Sequence, residues 1–360
     1  MKISKESFGR FEGKTVDQFT LQNDHGVTVK IATYGGTVTS IVTPDKEGQL
    51  CDISCGFDTL DGYMTDAYKA NSPYFGCLVG RYAGRIKDGA FRIEGADYQL
   101  ATNDGPNHLH GGIRGFDKQV WDIVRTWQLA DAVAVVLSLD SPDGDESYPG
   151  TVKVKVEYQL TNDNELRINY QAETSQATPL SLTNHTYFNL NGFRDTVLDH
   201  VVQLDSDRYL IPDDTNVPVG GEAKVHETAA DFTKPKRIGE AFAELPMGFE
   251  HYYCFDNPAG ELRQVAIISE PNSGRTLKVL TTEPGGLFYT GRYTSDELRR
   301  EEGTRFGPFR GFCVETSKYP NGPNIDGAPR SLLQPGEPYN ETTVYRFDAP
   351  QSTPPPKHVL

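Results

Sequence analysis

The chain has 360 residues, with 50 acidic and 35 basic side chains and a formal net charge of −15. This charge repels phosphate backbones and anionic lipids, and no apolar run approaches the roughly 18 residues of a transmembrane helix, so we expect neither nucleic acid nor membrane as a partner. The five cysteines are irregularly spaced and the N-terminal residues lack the apolar core of a signal peptide, so we expect a cytoplasmic protein with reduced thiols.

Alternating apolar and polar residues predict β-strands along most of the chain. The predicted strands lie at residues 27–34, 37–43, 133–139, 151–173 (a hairpin), 264–269 and 275–282. Glycines and prolines interrupt these segments at intervals of about 8 to 15 residues, which favours a large antiparallel sandwich or barrel over βαβ units.

Helical signals are scarce in this sequence. Residues 295–302 begin with a serine cap and acidic residues, which predicts one short helix, and residues 238–244 predict another. We expect one domain over residues 1–350. The proline-rich segment 351–360 cannot pair in a sheet and is predicted to be a surface tail.

His185 lies in the segment Ser-Leu-Thr-Asn-His-Thr-Tyr-Phe-Asn-Leu at residues 181–190, which favours extended backbone. Polar neighbours and the aromatic residues that follow can hydrogen-bond one side of the imidazole and desolvate the other. Both effects shift a pKa that starts near neutrality. We interpret His185 as a proton donor and acceptor on a strand that faces a pocket; the alternative is a half-buried structural histidine.

Glu315 stands in an otherwise apolar predicted strand, Gly-Phe-Cys-Val-Glu-Thr at residues 311–316. An unpaired carboxylate is costly to bury, and desolvation raises its pKa toward the range that suits a general base. A functional role is therefore favoured over a structural one. A carboxyl group and a histidine together can take one proton from a substrate and return another.

Arg81 and Arg85 are four residues apart in the glycine-rich segment 80–91. On extended backbone they share a face, and a guanidinium offers a fixed fork of donors that suits vicinal hydroxyls. The alternative is a pair of surface ion pairs.

His108 and His110 lie in Asn-His-Leu-His-Gly-Gly at residues 107–112. Two histidines at this spacing raise the possibility of a metal, but no further His or Cys partner is evident, so we predict no metal site. We expect His108 to make a structural hydrogen bond and His110 to be open to a ligand.

Glu250 lies among aromatic residues in segment 248–256. A carboxylate beside aromatic faces is typical of a sugar site, because ring C–H faces stack on aromatics while hydroxyls donate to the acid. The alternative is a carboxylate on the rim of an aromatic strand.

Taken together, the chain resembles the aldose 1-epimerase (galactose mutarotase) family. The family's motifs occur in order at residues 80–86, 107–112, 184–190, 281–291 and 311–316. The resemblance implies a large, twisted antiparallel β-sandwich, the galactose-mutarotase-like supersandwich, and interconversion of α and β anomers of a hexose without a cofactor.

The resemblance also implies roles for particular residues. Glu315 takes the proton of the C1 hydroxyl, and His185 protonates the ring oxygen. Arg85 and His110 hold ring hydroxyls. The other predicted substrate contacts are Arg81, Tyr187 and Glu250.

Three positions depart from the family pattern: Gly84 replaces an asparagine, Glu250 an aspartate and Leu287 a glutamine. These changes suggest a shifted sugar specificity, since polar contacts discriminate sharply. Two alternatives remain open at this point, namely an isomerase of a modified sugar or other cyclic hemiacetal and a non-catalytic carbohydrate-binding protein. The expected partner is a small sugar, and the chain is expected to be a monomer or homodimer.

Overall fold

The computed structural model describes residues 1–257 and 260–349, which form mainly β-strands. In chain order the strands are β1 (Lys2–Phe11), β2 (Lys14–Gln22), β3 (Thr28–Ala32), β4 (Thr37–Pro44), β5 (Leu50–Asp52), β6 (Leu78–Val79), β7 (Arg85–Ile86), β8 (Ala90–Ile93), β9 (Ala96–Gln99), β10 (His108–Leu109), β11 (Asp122–Gln128), β12 (Ala132–Ser141), β13 (Val152–Thr161), β14 (Glu165–Thr174), β15 (Thr178–Pro179), β16 (Thr183–Asn184), β17 (Val201–Leu204), β18 (Arg208–Pro212), β19 (Pro218–Lys224), β20 (Lys236–Arg237), β21 (Glu250–Cys254), β22 (Arg263–Ser269), β23 (Thr276–Thr281), β24 (Gly285–Tyr289), β25 (Cys313–Ser317), β26 (Leu332–Leu333) and β27 (Tyr339–Asp348). The helices are α1 (Leu60–Met64) and α2 (Asp66–Asn71), with 3₁₀ turns at Lys87–Gly89, Phe116–Lys118, Asp145–Ser147, Ile238–Ala243 and Gly322–Asn324.

Three large antiparallel sheets make up the architecture. Their strand orders are β1-β2-β3-β4-β5, β11-β12-β13-β14-β27-β23-β22-β17-β20 and β19-β18-β21-β24-β25. The remaining strands form short two-stranded pairs, including β16 with β6 and β10 with β7. The prediction of a large antiparallel β-sandwich is confirmed.

The core lies between these sheets. One cluster of buried apolar side chains includes Val29 of the first sheet, Val135 of the second and Val314 of the third. Burying a valine fully stabilises a fold by about 1.5–3 kcal/mol relative to exposure, so this shared cluster holds the three sheets together. On β25 the side chains alternate, with Val314 in the core and Glu315 on the opposite face. That face carries the candidate site.

The predicted strands are found in the structure. The hairpin at 151–173 is β13 and β14, whose register pairs Val156 with Tyr170, and residues on one face are buried while the lysines on the other are exposed. The predicted pairs at 27–43 and 264–282 are β3 with β4 and β22 with β23. The short turn of helix predicted at 238–244 is the 3₁₀ turn Ile238–Ala243.

The helix predicted at 295–302 is wrong. The guanidinium of Arg300 is buried and pairs with Asp52 and Asp58, at 2.8 and 3.2 Å. The backbone N–H of Arg300 donates to the carbonyl of Thr304 at 2.8 Å, which closes a loop. These tertiary ion pairs outweigh the local helix signals. Helices α1 and α2 were not predicted.

The tail predicted at 351–360 lies outside the described residues, and the single domain over 1–350 stays a prediction. Across residues 1–257 and 260–349, no helix combines the length and the hydropathy that crossing a bilayer requires. All five cysteines are unpaired.

Candidate active site

A cleft of about 480 Å³ lies over the face of β21, β24 and β25 that points away from the core. Its floor is set by strand register, because directly opposite residues of antiparallel strands share a face. Two rows cross the floor: Tyr252, Leu287 and Glu315 form one, and Glu250, Tyr289 and Cys313 form the other. Glu315 therefore reaches the cleft from the last strand of this sheet.

His185 reaches Glu315 from beyond that edge of the sheet. It directly follows β16, and the same segment passes the start of β25, where Phe188 exchanges backbone hydrogen bonds of 2.7 and 2.9 Å with Phe312, the residue before that strand. The backbone N–H of His185 donates to the carbonyl of Cys77 at 2.9 Å. His185 Nε2 then lies 3.4 Å from Glu315 Oε1.

Burial shifts both groups of this pair. The side chains are almost inaccessible, with His185 4% and Glu315 3% exposed. Desolvation lowers the pKa of His185 to about 3. It raises the pKa of Glu315 to about 8; the negative charge of Glu250 adds to the rise, and the positive charge of Arg85 opposes it. Because such close groups titrate as a unit, the pair holds one proton between these two values.

Glu315 also has an unused acceptor. Its Oε1 is buried and has no hydrogen-bond partner among the described residues. A buried polar atom without a partner is costly to maintain and is common at functional sites. In this cleft, Oε1 is placed to accept a hydrogen bond from a ligand hydroxyl.

The thiol of Cys313 orients the imidazole. Its Sγ lies 3.6 Å from His185 Nδ1, and burial raises the pKa of the thiol well above its ordinary value, so it keeps its proton. The thiol sulfur can therefore accept from the N–H of Nδ1, which leaves Nε2 unprotonated and facing Glu315. The rings of Tyr74 and Tyr187 stack beside the imidazole, with centroids 5.8 and 5.0 Å away.

His110 presents a donor to the same space. The backbone N–H of Gly84 donates to His110 Nδ1 at 3.2 Å, and burial lowers the pKa of His110 well below its ordinary value. A neutral imidazole with an accepting Nδ1 carries its proton on Nε2. His110, His185 and Glu315 offer ligand atoms within 4.8 Å of one another, a spacing compatible with a metal ion. A protonated Nε2 donates hydrogen bonds rather than ligating, so the arrangement favours binding of hydroxyls.

Arg85 and Glu250 form the polar end of the cleft. Arg85 Nε donates to Asp104 Oδ2 at 2.6 Å, and its Nη1 donates to Glu250 Oε1 at 2.8 Å. Asn216 Nδ2 donates to the second oxygen of Glu250 at 3.0 Å. These contacts fix the guanidinium and the carboxylate in one geometry, which suits neighbouring hydroxyls of a sugar.

The cleft brings six of the seven predicted site residues together. They are His185, Glu315, Arg85, His110, Glu250 and Tyr187. His108 makes the expected structural contacts, with Nδ1 2.8 Å from the carbonyl of Ala101 and Nε2 2.8 Å from the hydroxyl of Tyr148.

Arg81 requires a correction. Its side chain is buried away from the cleft, and its guanidinium donates to the hydroxyl and carbonyl of Ser141 and to the carbonyls of Pro142 and Pro149, at 2.7–3.0 Å. The expectation that Arg81 and Arg85 share a face assumed extended backbone. Gly84, at φ +79°, turns the chain between them. Arg81 anchors a loop and is not among the residues that line the cleft.

Asp104, Asn216 and Tyr74 also line the cleft but were not predicted. Asp104 and Asn216 lie outside the strands, in polar segments whose sequence predicts only turns. Their contacts to Arg85 and Glu250 come from distant parts of the chain, which no local pattern reveals.

The departures from the family pattern are found in or beside this cleft. Leu287 is part of its floor. At Gly84 an added Cβ would lie 3.0 Å from the ring of Pro320, and the backbone there is left-handed, so a side chain is disfavoured at this position.

Fold and site together define a mutarotase-like β-sandwich protein with a buried histidine–glutamate pair in a polar cleft. The family model described as aldose 1-epimerase matches residues 17–346. The chain belongs to the aldose 1-epimerase family.

Two relatives align over almost the whole chain. It is 41% identical to galactose mutarotase of Bos taurus over 335 residues, which cover 92% of this chain and 94% of the relative. It is 40% identical to galactose mutarotase of Homo sapiens, with coverage of 96% and 98%. The crystal structure of galactose 1-epimerase from Lactobacillus acidophilus superposes with a TM-score of 0.82 at 30% identity, covering 96% of this chain and 98% of that one.

Proposed function

We propose that this protein interconverts the α and β anomers of a free hexose of the glucose or galactose type by opening and closing the pyranose ring. The family membership and the galactose mutarotase relatives support the reaction. The assignment of residues depends on one observation, the buried contact of 3.4 Å between His185 Nε2 and Glu315 Oε1.

In the proposed mechanism the singly protonated pair is the active form. Its proton moves from Glu315 to His185 when the substrate binds. Glu315 then accepts the proton of the C1 hydroxyl while His185 donates its proton to the ring oxygen, and the C1–O5 bond breaks to give the free aldehyde. Rotation about C1–C2 presents the other carbonyl face, and the reverse transfers close the ring. One proton leaves the substrate and one returns, so the reaction needs no cofactor.

The remaining side chains of the cleft hold the sugar. Arg85 and His110 donate to ring hydroxyls, and Glu250 accepts from them. His110 also stabilises negative charge on the ring oxygen, since its ring centroid lies 5.3 Å from that of His185. The aromatic face of Tyr187 packs beside His185, the proposed proton donor.

We propose that the protein is cytoplasmic and that its oligomeric state is a monomer or homodimer. The five unpaired cysteines support a reducing compartment.

Polarimetry tests the function directly. Freshly dissolved α-D-galactose and α-D-glucose are followed to equilibrium with and without protein. We expect clear acceleration by wild type and little by Glu315→Gln at equal concentration. A wild-type rate equal to that of buffer alone for both sugars would refute the proposed activity.

A further inference from the structure

The floor of the cleft places an apolar side chain beside the proposed base. Leu287 on β24 is directly opposite Glu315 on β25, and Tyr252 on β21 is opposite Leu287 on its other side. Opposite residues in an antiparallel pair have Cβ atoms about 4.5–5.5 Å apart. Leu287 is therefore within reach of a small ring bound at Glu315.

Glu315 lies between His185 and Leu287. Within its sheet, β25 follows β24 as the last strand. The segment that carries His185 passes the start of β25 on its other side, as the hydrogen bonds between Phe188 and Phe312 show. Across the floor the order is therefore His185, Glu315 and Leu287.

This order can be matched to the atoms of the substrate, and the match rests on the proposed function. C1 of a pyranose has three heavy-atom neighbours, which are the hydroxyl oxygen, the ring oxygen and C2. When the hydroxyl contacts Glu315 and the ring oxygen contacts His185, C2 points away from His185. We propose that Leu287 faces C2, and that the protein is indifferent to the C2 hydroxyl and accepts 2-deoxyhexoses as well as hexoses.

The neighbours of Leu287 reinforce this assignment. The hydroxyl of Tyr252 donates its proton to the carbonyl of Ser317 at 2.6 Å. Leu210 is buried in the same cluster as Tyr252, and Leu287 packs against this cluster. A hydroxyl held against this surface loses water without gaining a strong partner, so it adds little to binding.

The test compares kcat/KM for 2-deoxy-D-galactose with D-galactose, and for 2-deoxy-D-glucose with D-glucose, after subtraction of each spontaneous rate. We expect each 2-deoxy sugar to fall within about threefold of its parent, whereas a site that hydrogen-bonds a hydroxyl rejects the analogue that lacks it by up to about 10⁴-fold. A loss of about tenfold or more for both 2-deoxy sugars would overturn the proposal, because it would mean that the C2 hydroxyl is bound.

Two variants separate polarity from packing at this position. Leu287→Gln introduces an amide of similar size, and we expect the preference for hexose over 2-deoxyhexose to rise about tenfold, as one added hydrogen bond predicts. Leu287→Met keeps the surface apolar and should retain the wild-type preference. Comparing variants cancels the intrinsic reactivity of each sugar. Equal preferences in the two variants would contradict the placement of Leu287 at C2.

Failure of this proposal can be told apart from failure of the proposed function. If wild type accelerates hexoses but not 2-deoxyhexoses, only the C2 assignment is wrong. If it accelerates neither, NMR titration of D-galactose and 2-deoxy-D-galactose into wild-type protein gives the same comparison as dissociation constants. Similar constants would support the apolar contact at C2, and about tenfold weaker binding of the 2-deoxy sugar would overturn it.

Discussion

His185 Nε2 and Glu315 Oε1 lie 3.4 Å apart, and both side chains are almost completely removed from water. Desolvation disfavours the charged forms of both groups, which separates their pKa values to about 3 and about 8. The pair thus carries a single proton over the whole physiological range. A group that accepts one proton while its neighbour gives one is what ring opening of a hemiacetal requires.

Glu315→Gln should remove most turnover while the fold is retained. The amide has nearly the same shape but cannot accept the proton of the C1 hydroxyl, and general base catalysis contributes about 10²–10⁴-fold to a rate. We expect kcat to fall by that amount and circular dichroism to be unchanged. Polarimetry with galactose measures kcat, and a variant with wild-type turnover would exclude Glu315 as the base.

His185→Asn should lower kcat by a similar factor, about 10²–10⁴, because the ring oxygen loses its proton donor. The double variant His185→Asn/Glu315→Gln should be only slightly slower than either single variant, since residues that act as a unit are not additive. Fully multiplicative losses in this cycle would show that the two residues work independently.

The pH dependence of kcat/KM tests the protonation state. If the singly protonated pair is active, kcat/KM for galactose is level through neutrality and falls as the pH rises through about 8, where the pair loses its proton. A carboxylate that acts with a neutral histidine would give the opposite sign, a rise through the same pH. Measurements from about pH 5 to 9.5 in buffers of low catalytic power distinguish the two.

Glu315 should also make stability depend on pH. Its folded-state pKa of about 8 is raised from 4.5, so between these values the folded chain binds a proton that the unfolded chain has lost. Raising the pH therefore favours unfolding, by on the order of 4 kcal/mol across this window. Urea titrations should show wild type losing this much stability relative to Glu315→Gln between about pH 4.5 and 9. Parallel pH curves for the two proteins would show that Glu315 is ionised in the fold.

Arg85 and Arg81 form a matched pair for a test of binding against structure. Arg85→Lys loses the fork that reaches Asp104 and Glu250, and we expect kcat/KM to fall about 10- to 100-fold, mainly through KM. Arg81→Lys should instead cost roughly 2–4 kcal/mol of unfolding free energy, because carbonyl groups of the loop it anchors lose their partners. Steady-state kinetics and urea unfolding of both variants measure the contrast. An effect of Arg81→Lys on KM as large as that of Arg85→Lys would show that Arg81 contributes to substrate binding.

Much of the sandwich is predictable from local patterns, and the reason is physical. In β13 and β14 one face is buried and the other is exposed to water. Apolar and polar residues therefore alternate in the sequence of residues 151–173. The isolated acid in an apolar strand likewise indicates Glu315, because burying a carboxyl group is expensive. The helix at 295–302 was wrong because its signals are local, whereas the buried ion pairs of Arg300 come from residues more than two hundred positions away.

The candidate site is predictable only where a residue's own neighbours reveal its role. Arg81 and Arg85 look equivalent in sequence, yet the turn at Gly84 sends one into the interior and the other into the cleft. Asp104 and Asn216 have no periodic context, and only the folded chain brings them to Arg85 and Glu250. Spacing rules fail at this point because they assume one regular backbone conformation across the motif.

The edge-to-edge contact between the His185 segment and β25 has a consequence for how the chain acquires its activity. Phe188 and Phe312 join segments that are distant in sequence, and such nonlocal contacts form slowly because a long loop must close first. Before that closure His185 and Glu315 of a refolding chain are far apart. Each can exchange a proton, but the two cannot act together on one sugar ring. Regain of mutarotation during refolding would therefore report the last long-range docking of the sandwich, later than signals that follow hairpins such as β13–β14.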